Sequence, residues 1–450
     1  MDYFNLKFHN TSVRNEIFAG IAMFMAMSYI LVVCPMVLSQ AGMNYNGVFL
    51  ATVCVAGLTT IVSAFYTKLP IALAPGLGMT SMFLSLATGE DALHWSGLLL
   101  ATYVSGIIIC AFIRFGVYDK IMEIMDEQFR RMIMCGVGLA LFLYGISTTG
   151  LLDKQDGYYT IGRFDTIPVV ICVISFLVIY FSKKNNKKGF VLFGLLAAYF
   201  MSICVDYYEA YHSFHIMPGE YLREIFKFSY DVREISQVMF AFPNVMELFS
   251  NVRTTILFIN AVFVFTMGHF FDAVGTSTSC FDAINNDIDL RMKDTVSLKR
   301  AISVDGVGNV VSGVMGTPSV TTYGESLVGI VCGGKTGITA LTTGCLFLLC
   351  FFFAPLFTSM ESYVAAPALI YVGLHLLLRI RELDRNNKAH FFFGVCIIAY
   401  LGISFNVGYT VLYGLIIYTI LGIIVKKQKA VKYWWIMFIF AAIHILLNLM

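Results

Sequence analysis

Charge is what this 450-residue sequence has least of. Asp, Glu, Lys and Arg make up 13% of it, where a soluble domain carries about 25%. None of the four occurs between Glu16 and Lys68, nor between Lys68 and Glu90. A membrane-spanning helix needs about 20 largely apolar residues, so each gap can hold membrane-spanning structure. The scarcity excludes a soluble globular class and points to a polytopic membrane protein. A net charge of only +2 argues against a nucleic-acid partner.

Other absences narrow the function. No small-residue cleavage site follows a short apolar core after Asp2, Lys7 and Arg14, so the N-terminus reads as an uncleaved first helix rather than a signal peptide. The 11 cysteines lack the spacing of a disulfide framework or a zinc site. No nucleophile-plus-base arrangement stands out, which argues against an enzyme and for no cofactor. Organelle-targeting motifs are absent, so the plasma or inner membrane is the expected location. Gly333-Gly-Lys335-Thr336 lacks the spacing of a nucleotide-binding loop and reads as a helix start.

What is present is a repeated interruption. Pro70-Ile-Ala-Leu-Ala-Pro-Gly76 and Pro318-Ser-Val-Thr-Thr-Tyr-Gly324 share the form Pro, five residues, Gly, in apolar surroundings. Paired Gly/Pro-interrupted segments in two halves of a chain point to a transporter's binding site. Hydropathy predicts fourteen spans: 16–40, 47–66, 71–88, 95–117, 129–150, 166–182, 189–205, 252–281, 298–316, 318–332, 337–358, 362–379, 389–404 and 407–425. A further apolar stretch covers 433–449. Spans 71–88 and 318–332 are expected to open as short extended backbone and turn helical after Gly76 and Gly324. Seven spans per half make an inverted repeat. Basic residues at Lys7 and Arg14, at Lys183, Lys184, Lys187 and Lys188, at Arg291, Lys293, Lys299 and Arg300, and at Arg379, Arg381, Arg385 and Lys388 fall on one side, placing the N-terminus in the cytoplasm.

Ionisable groups at membrane depth are costly and are functional candidates by default. His269, Asp272, Thr276 and Ser279 are spaced 3, 4 and 3 and share one helix face. A hydrogen bond between His269 and Asp272 within their own helix is the structural alternative. Glu325 follows the Gly324 break near a helix start, where a ligand-facing acid and a helix-capping acid are both expected readings. Thr80 holds a similar place after Gly76, with bonding back to its own helix as the alternative. Asp305 is read as a structural ion pair with Lys299 or Arg300, or as a gate. His375, His390 and His444 are read as structural.

These motifs together resemble the AzgA-like branch of nucleobase permeases, carriers of adenine, guanine and hypoxanthine in the nucleobase:cation symporter superfamily. The likeness runs over nearly the whole chain. It is clearest in Asn10-Thr-Ser-Val-Arg-Asn-Glu16, Pro70–Gly78, Phe271-Asp272-Ala-Val-Gly-Thr276, Val320-Thr-Thr-Tyr-Gly-Glu325-Ser and Gly333–Ala340. The resemblance implies an all-α, 14-segment, seven-plus-seven inverted repeat like that of uracil permease, with two broken segments. A core would come from 1–117 and 251–358, and a gate from 118–250 and 359–450. It also implies proton-coupled purine uptake by elevator-type motion, and a homodimer in the bilayer.

Carried over by position, Asp272 and Glu325 bind substrate and are the candidate proton carriers. His269, Thr80, Thr276, Gly78, Tyr323 and Gly324 complete the expected binding set. The chain departs from the family pattern at His269, usually Asp, at Thr80, usually Asn, and at Cys34 in Val33-Cys34-Pro35, usually Asn. Xanthine, uracil or another planar heterocycle is the alternative substrate, and an anion a further one that two buried acids argue against.

Overall fold

The computed structural model describes residues 3–426, apart from 29, 89–91, 118–119, 121–126, 156–157, 186–189, 215–231, 244, 250, 288–294, 353–360, 384–387 and 405–406, together with Ala442. The stretch 433–449 and the basic residues Lys187, Lys188, Arg291, Lys293 and Arg385 thus fall outside the described residues, save for Ala442.

The chain is mostly helical. The expected first span is two helices, α1 (Val13–Met27) and α2 (Ile30–Ser39). Ser12 caps α1 by accepting the Asn15 N–H. At the break, Ser28 turns its hydroxyl onto the Met25 carbonyl at 2.8 Å. Helix α3 (Tyr45–Thr67) is capped by Asn44 and stops at Lys68, whose φ of 60° reverses the chain. There the backbone runs extended as β1 (Leu73–Pro75), then winds into α4 (Leu77–Thr88) and continues to α5 (Trp95–Arg114) and α6 (Glu127–Thr148). An antiparallel hairpin follows, β2 (Leu152–Gln155) with β3 (Tyr158–Ile161), which hydropathy does not signal. Then come α7 (Ile167–Lys184) and α8 (Phe190–Phe214).

The second half opens with α9 (Val252–Asp287) and α10 (Thr295–Met315). Extended backbone reappears as β4 (Val320–Thr322), followed by the six-residue helix α11 (Ser326–Val331). The chain continues as α12 (Gly337–Cys350), α13 (Ala366–Leu377), α14 (Lys388–Ser404) and α15 (Val407–Lys426). Among the described residues, six helices are long and apolar enough to cross a membrane. Large apolar side chains such as Leu177, Phe181 and Phe200 point outward, as lipid-facing residues do. The protein is a multi-pass membrane protein.

Strands β1 and β4 come from opposite halves of the chain and pair antiparallel, Leu73 with Thr322, Ala74 with Thr321 and Pro75 with Val320. The pairing extends at both ends: the Tyr323 N–H donates to the Ala72 carbonyl and the Gly76 N–H to the Ser319 carbonyl.

Around this crossing, helices approach to backbone contact through glycines. A Cβ added at Gly57 of α3 would lie 3.1 Å from the Gly344 carbonyl of α12, and one at Gly344 2.9 Å from the Gly57 carbonyl. One at Gly106 of α5 would meet the Val310 nitrogen of α10 at 2.6 Å, and one at Gly313 the Tyr103 nitrogen at 2.7 Å. Helices α6 and α13 lock in the same way, Gly138 against Gly373. Small residues permit such contact, which substitutes for the hydrophobic drive that lipid does not supply.

The closeness of α6 and α13 predicts a graded response. The new Cβ of Gly373→Ala would sit 2.6 Å from the Gly138 carbonyl and the Phe142 nitrogen. It should cost about 1–3 kcal/mol by overpacking. In Gly308→Ala the added atom keeps 3.4 Å or more from its neighbours, so the loss should stay under about 0.5 kcal/mol. Thermal melting of the detergent-solubilised variants checks the order.

Candidate functional site

The strand crossing puts polar side chains against irregular backbone inside the helical body. Asp272, midway along α9, accepts from the Thr321 hydroxyl at 3.3 Å and the Thr276 hydroxyl at 3.5 Å. Its carboxylate faces the space left by Gly76: a Cβ there would lie 3.8 Å from Asp272 Oδ2 and 3.4 Å from Thr321 Oγ1. Asp272 is half-buried, and Gly78, in the first turn of α4, is exposed. This side of the crossing is therefore the more accessible one.

The opposite side is closed. Successive strand residues point to opposite faces, so Thr322 turns away from Asp272. Its hydroxyl lies 3.0 Å from both carboxylate oxygens of Asp305, and Ser277 Oγ donates to the same carboxylate at 3.4 Å. The Thr322 N–H also reaches it. Asp305 is 0% exposed. This corrects the expected pairing of Asp305 with Lys299 or Arg300: hydroxyls and a backbone N–H hold it, and the Arg300 guanidinium lies over the Tyr66 ring at 6.0 Å.

Glu325 is 5% exposed and sits between β4 and α11. Its side chain makes no capping hydrogen bond, so the helix-capping alternative does not describe it. Tyr323 is buried beside it. At Gly324 an added Cβ would lie 3.7 Å from Val137 of α6, an ordinary contact.

Thr80 is fully buried and spends its hydroxyl proton on the Gly76 carbonyl at 2.8 Å, as the local alternative expected. Thr80 also contacts Cys34, whose thiol accepts from Thr52 at 3.7 Å. His269 is 0% exposed, and both of its ring nitrogens lack a hydrogen-bond partner. No His269–Asp272 bond forms. Ser279 bonds back to the Gly275 carbonyl and takes no part in the crossing.

The structure thus gathers Asp272, Thr276, Gly78, Tyr323, Gly324 and Glu325 around the β1–β4 pair. Two participants escaped the sequence reading. Ser277 lies off the 3-4-3 stripe, yet bonds to both Thr322 and Asp305. Thr60 of α3 bonds to the Leu73 carbonyl at 3.0 Å and the Leu73 N–H at 2.9 Å, closing the outer edge of β1. Among the described residues no group of three or more His, Cys, Asp or Glu could hold a metal ion.

Residues 14–411 match the profile of a family described as "Permease family". The guanine/hypoxanthine permease GhxP of Escherichia coli O157:H7 is 29% identical over 388 residues, covering 85% of this chain and 82% of that protein. The adenine permease AdeQ of Escherichia coli K12 is 29% identical over 373 residues, covering 82% and 79%. The anion transporter Slc26a9 of mouse, solved in an inward-facing state, superposes with a TM-score of 0.54 over 92% of this chain and 69% of its own, at 14% identity. That likeness is one of fold.

The two faces of β4 should respond unequally to loss of a hydroxyl. Thr322→Val leaves the fully buried Asp305 short of donors and should cost about 1–3 kcal/mol. Thr321→Val, beside the more open Asp272, should cost less. Melting temperatures of the two purified variants test the ranking.

Proposed function

The chain belongs to the permease family, and on that premise we propose that it takes up a purine nucleobase, hypoxanthine, guanine or adenine, by proton symport. The observation that carries the reading is Asp272 set against the open side of the strand crossing, with Glu325 on the strand-to-helix segment that supplies Thr321. A purine edge presents N–H donors beside acceptor nitrogens. Carboxylates, hydroxyls and strand-end backbone groups match that pattern. Two acids in one site would repel an anion, so the shared fold of the anion transporter does not extend to its substrate.

The coupling follows from the cost of charge. An ionised carboxylate at membrane depth is expensive. A proton taken from the outer side neutralises Asp272 or Glu325, and the loaded site, carrying one charge fewer, crosses at lower cost. Release inside frees base and proton together.

The motion proposed is that of one body against another. Core helices α1–α5 and α9–α12 interlock through Gly57, Gly106, Gly313 and Gly344, and gate helices α6–α8 and α13–α15 through Gly138, Gly194 and Gly373. Contact between the groups at Gly324 is made by side-chain atoms of Val137 and Leu141, at 3.7 and 3.9 Å. Groups locked internally through backbone contacts, with side chains alone at Gly324, favour rigid-body sliding over internal bending. Helix α3 packs on α12 as α5 packs on α10, an exchange that supports the proposed seven-plus-seven inverted repeat. The basic clusters support a cytoplasmic N-terminus. A homodimer in the plasma or inner membrane completes the proposal.

The test is uptake in cells lacking their own nucleobase carriers. Labelled hypoxanthine, guanine, adenine, xanthine and uracil are supplied at acid and at neutral external pH. One purine should enter, faster at acid pH. A hydrogen bond to a charged group is worth about 1.5–3 kcal/mol. Asp272→Asn and Glu325→Gln should therefore each cut uptake by about tenfold to hundredfold, with the protein still in the membrane. Uptake of xanthine or uracil alone would replace the substrate. No uptake of any base would overturn the reading.

A further inference from the structure

Glu16 is 0% exposed, near the start of α1. Its carboxylate accepts the Lys335 N–H at 3.1 and 3.3 Å, the Thr336 N–H at 3.1 Å and the Thr339 hydroxyl at 2.6 Å. Thr339 also reaches the Glu16 carbonyl at 3.3 Å. No Lys or Arg side chain pairs with it among the described residues. Its charge is balanced by backbone N–H groups and by the positive end of α12, whose N-cap is Thr336. Charge-assisted bonds of this kind are the strong ones. Gly333-Gly-Lys-Thr336, the glycine-bearing turn of the sequence, is thus filled by the chain's own carboxylate.

The clamped turn is also the far end of the segment that carries Glu325. Helix α11 is six residues long, too short to hold itself. At its start the Ser326 hydroxyl accepts the Ala72 N–H at 3.0 Å. On its flank Gly329 meets α1, where an added Cβ would lie 3.0 Å from Met23 Cβ and 3.2 Å from the Ala19 carbonyl. At its end Gly333 turns with φ 97°, and the Gly334 N–H donates to the Gly329 carbonyl. The next two N–H groups are those held by Glu16. Release at that end leaves α11 anchored at one end and one side.

We propose that Glu16 is a positioning residue: by clamping the turn 333–336 to α1, it fixes α11 and so the depth and direction of Glu325. Its effect on uptake rests on the proposed role of Glu325, whereas its effect on α11 does not. Gln in place of Glu16 keeps the size, removes the charge and turns an amide N–H₂ towards backbone donors. Asp keeps the charge and shortens the reach.

Hydrogen–deuterium exchange on the purified full chain in lipid nanodiscs reads the clamp without substrate. In Glu16→Gln, amides of 324–336 should exchange about tenfold faster, with α3 and α9 within about twofold of wild type. Thr339→Val should give a smaller local rise, and Glu16→Asp should restore part of the protection. In uptake, Glu16→Gln should raise KM for the transported purine by about tenfold while the maximal rate per folded carrier changes less than about threefold. Unchanged exchange over 324–336 overturns the proposal, as does a rise spread evenly over the whole chain, or a local rise with wild-type KM. Wild-type protein that carries no purine sinks the nucleobase reading and leaves the exchange result to judge the clamp.

Discussion

The centre of the molecule depends on three paired residues from each half of the chain. Lipid offers no hydrogen bonds, so extended backbone at membrane depth persists only where every N–H and C=O finds a partner. The inner edges of β1 and β4 satisfy one another. Their outer edges face different helices and are closed differently. On β1 the Thr60 hydroxyl both donates to and accepts from Leu73. On β4 the Asp305 carboxylate takes the Thr322 N–H and the Thr322 and Ser277 hydroxyls. A hydroxyl can serve a donor and an acceptor at once. Two hydroxyls turn towards Asp305. That makes it part of the wall behind the strands, with Asp272 on the side that stays open.

Glycine determines how rigidly that wall is held. Where α3 meets α12 and α5 meets α10, backbone atoms of one helix press on the other. A contact of this kind has little room to slide, because each helix fits a notch in its neighbour. Gly324 meets side chains of α6 instead, with space for an added methyl group. Side-chain contacts can be exchanged for others at small cost. The different use of the same residue type separates helices locked backbone to backbone from a contact made by side chains alone.

The legible part of this architecture is the part that breaks regular structure. Irregular backbone needs Gly and Pro, so the two Pro-x5-Gly segments stand out, and the strands fall inside both. Buried acids stand out equally, because charge is so scarce. Partners are harder to read. Asp305 has Lys299 and Arg300 one to two turns away in sequence, yet it bonds to Thr322 and Ser277, 17 and 28 residues along. Serines and threonines are common in apolar helices, and nothing in their spacing marks Ser277 or Thr60 as neighbours of a strand edge. The break at Ser28 falls at neither Gly20 nor Pro35 but between them, so hydropathy joins α1 to α2. Glu16 is visible as the last charge before a long gap, but its partners are backbone N–H groups some 320 residues away. Backbone donors carry no sequence signal of their own.

His269 shows how a departure from a family pattern becomes interpretable once neighbours are known. A buried imidazole without partners forfeits the hydrogen bonds it had in water, at about 1–3 kcal/mol for each group left unmade. Such a cost persists where function recovers it. His269 sits one turn from Asp272, and no side chain among the described residues satisfies either ring nitrogen. A carboxylate at this position would offer acceptors alone. A neutral imidazole offers one donor and one acceptor. Under the proposed function, the site then joins a ring able to give and take a hydrogen bond to an acid that can do either according to its proton. That combination suits a base whose edge alternates N–H and carbonyl, as in guanine and hypoxanthine.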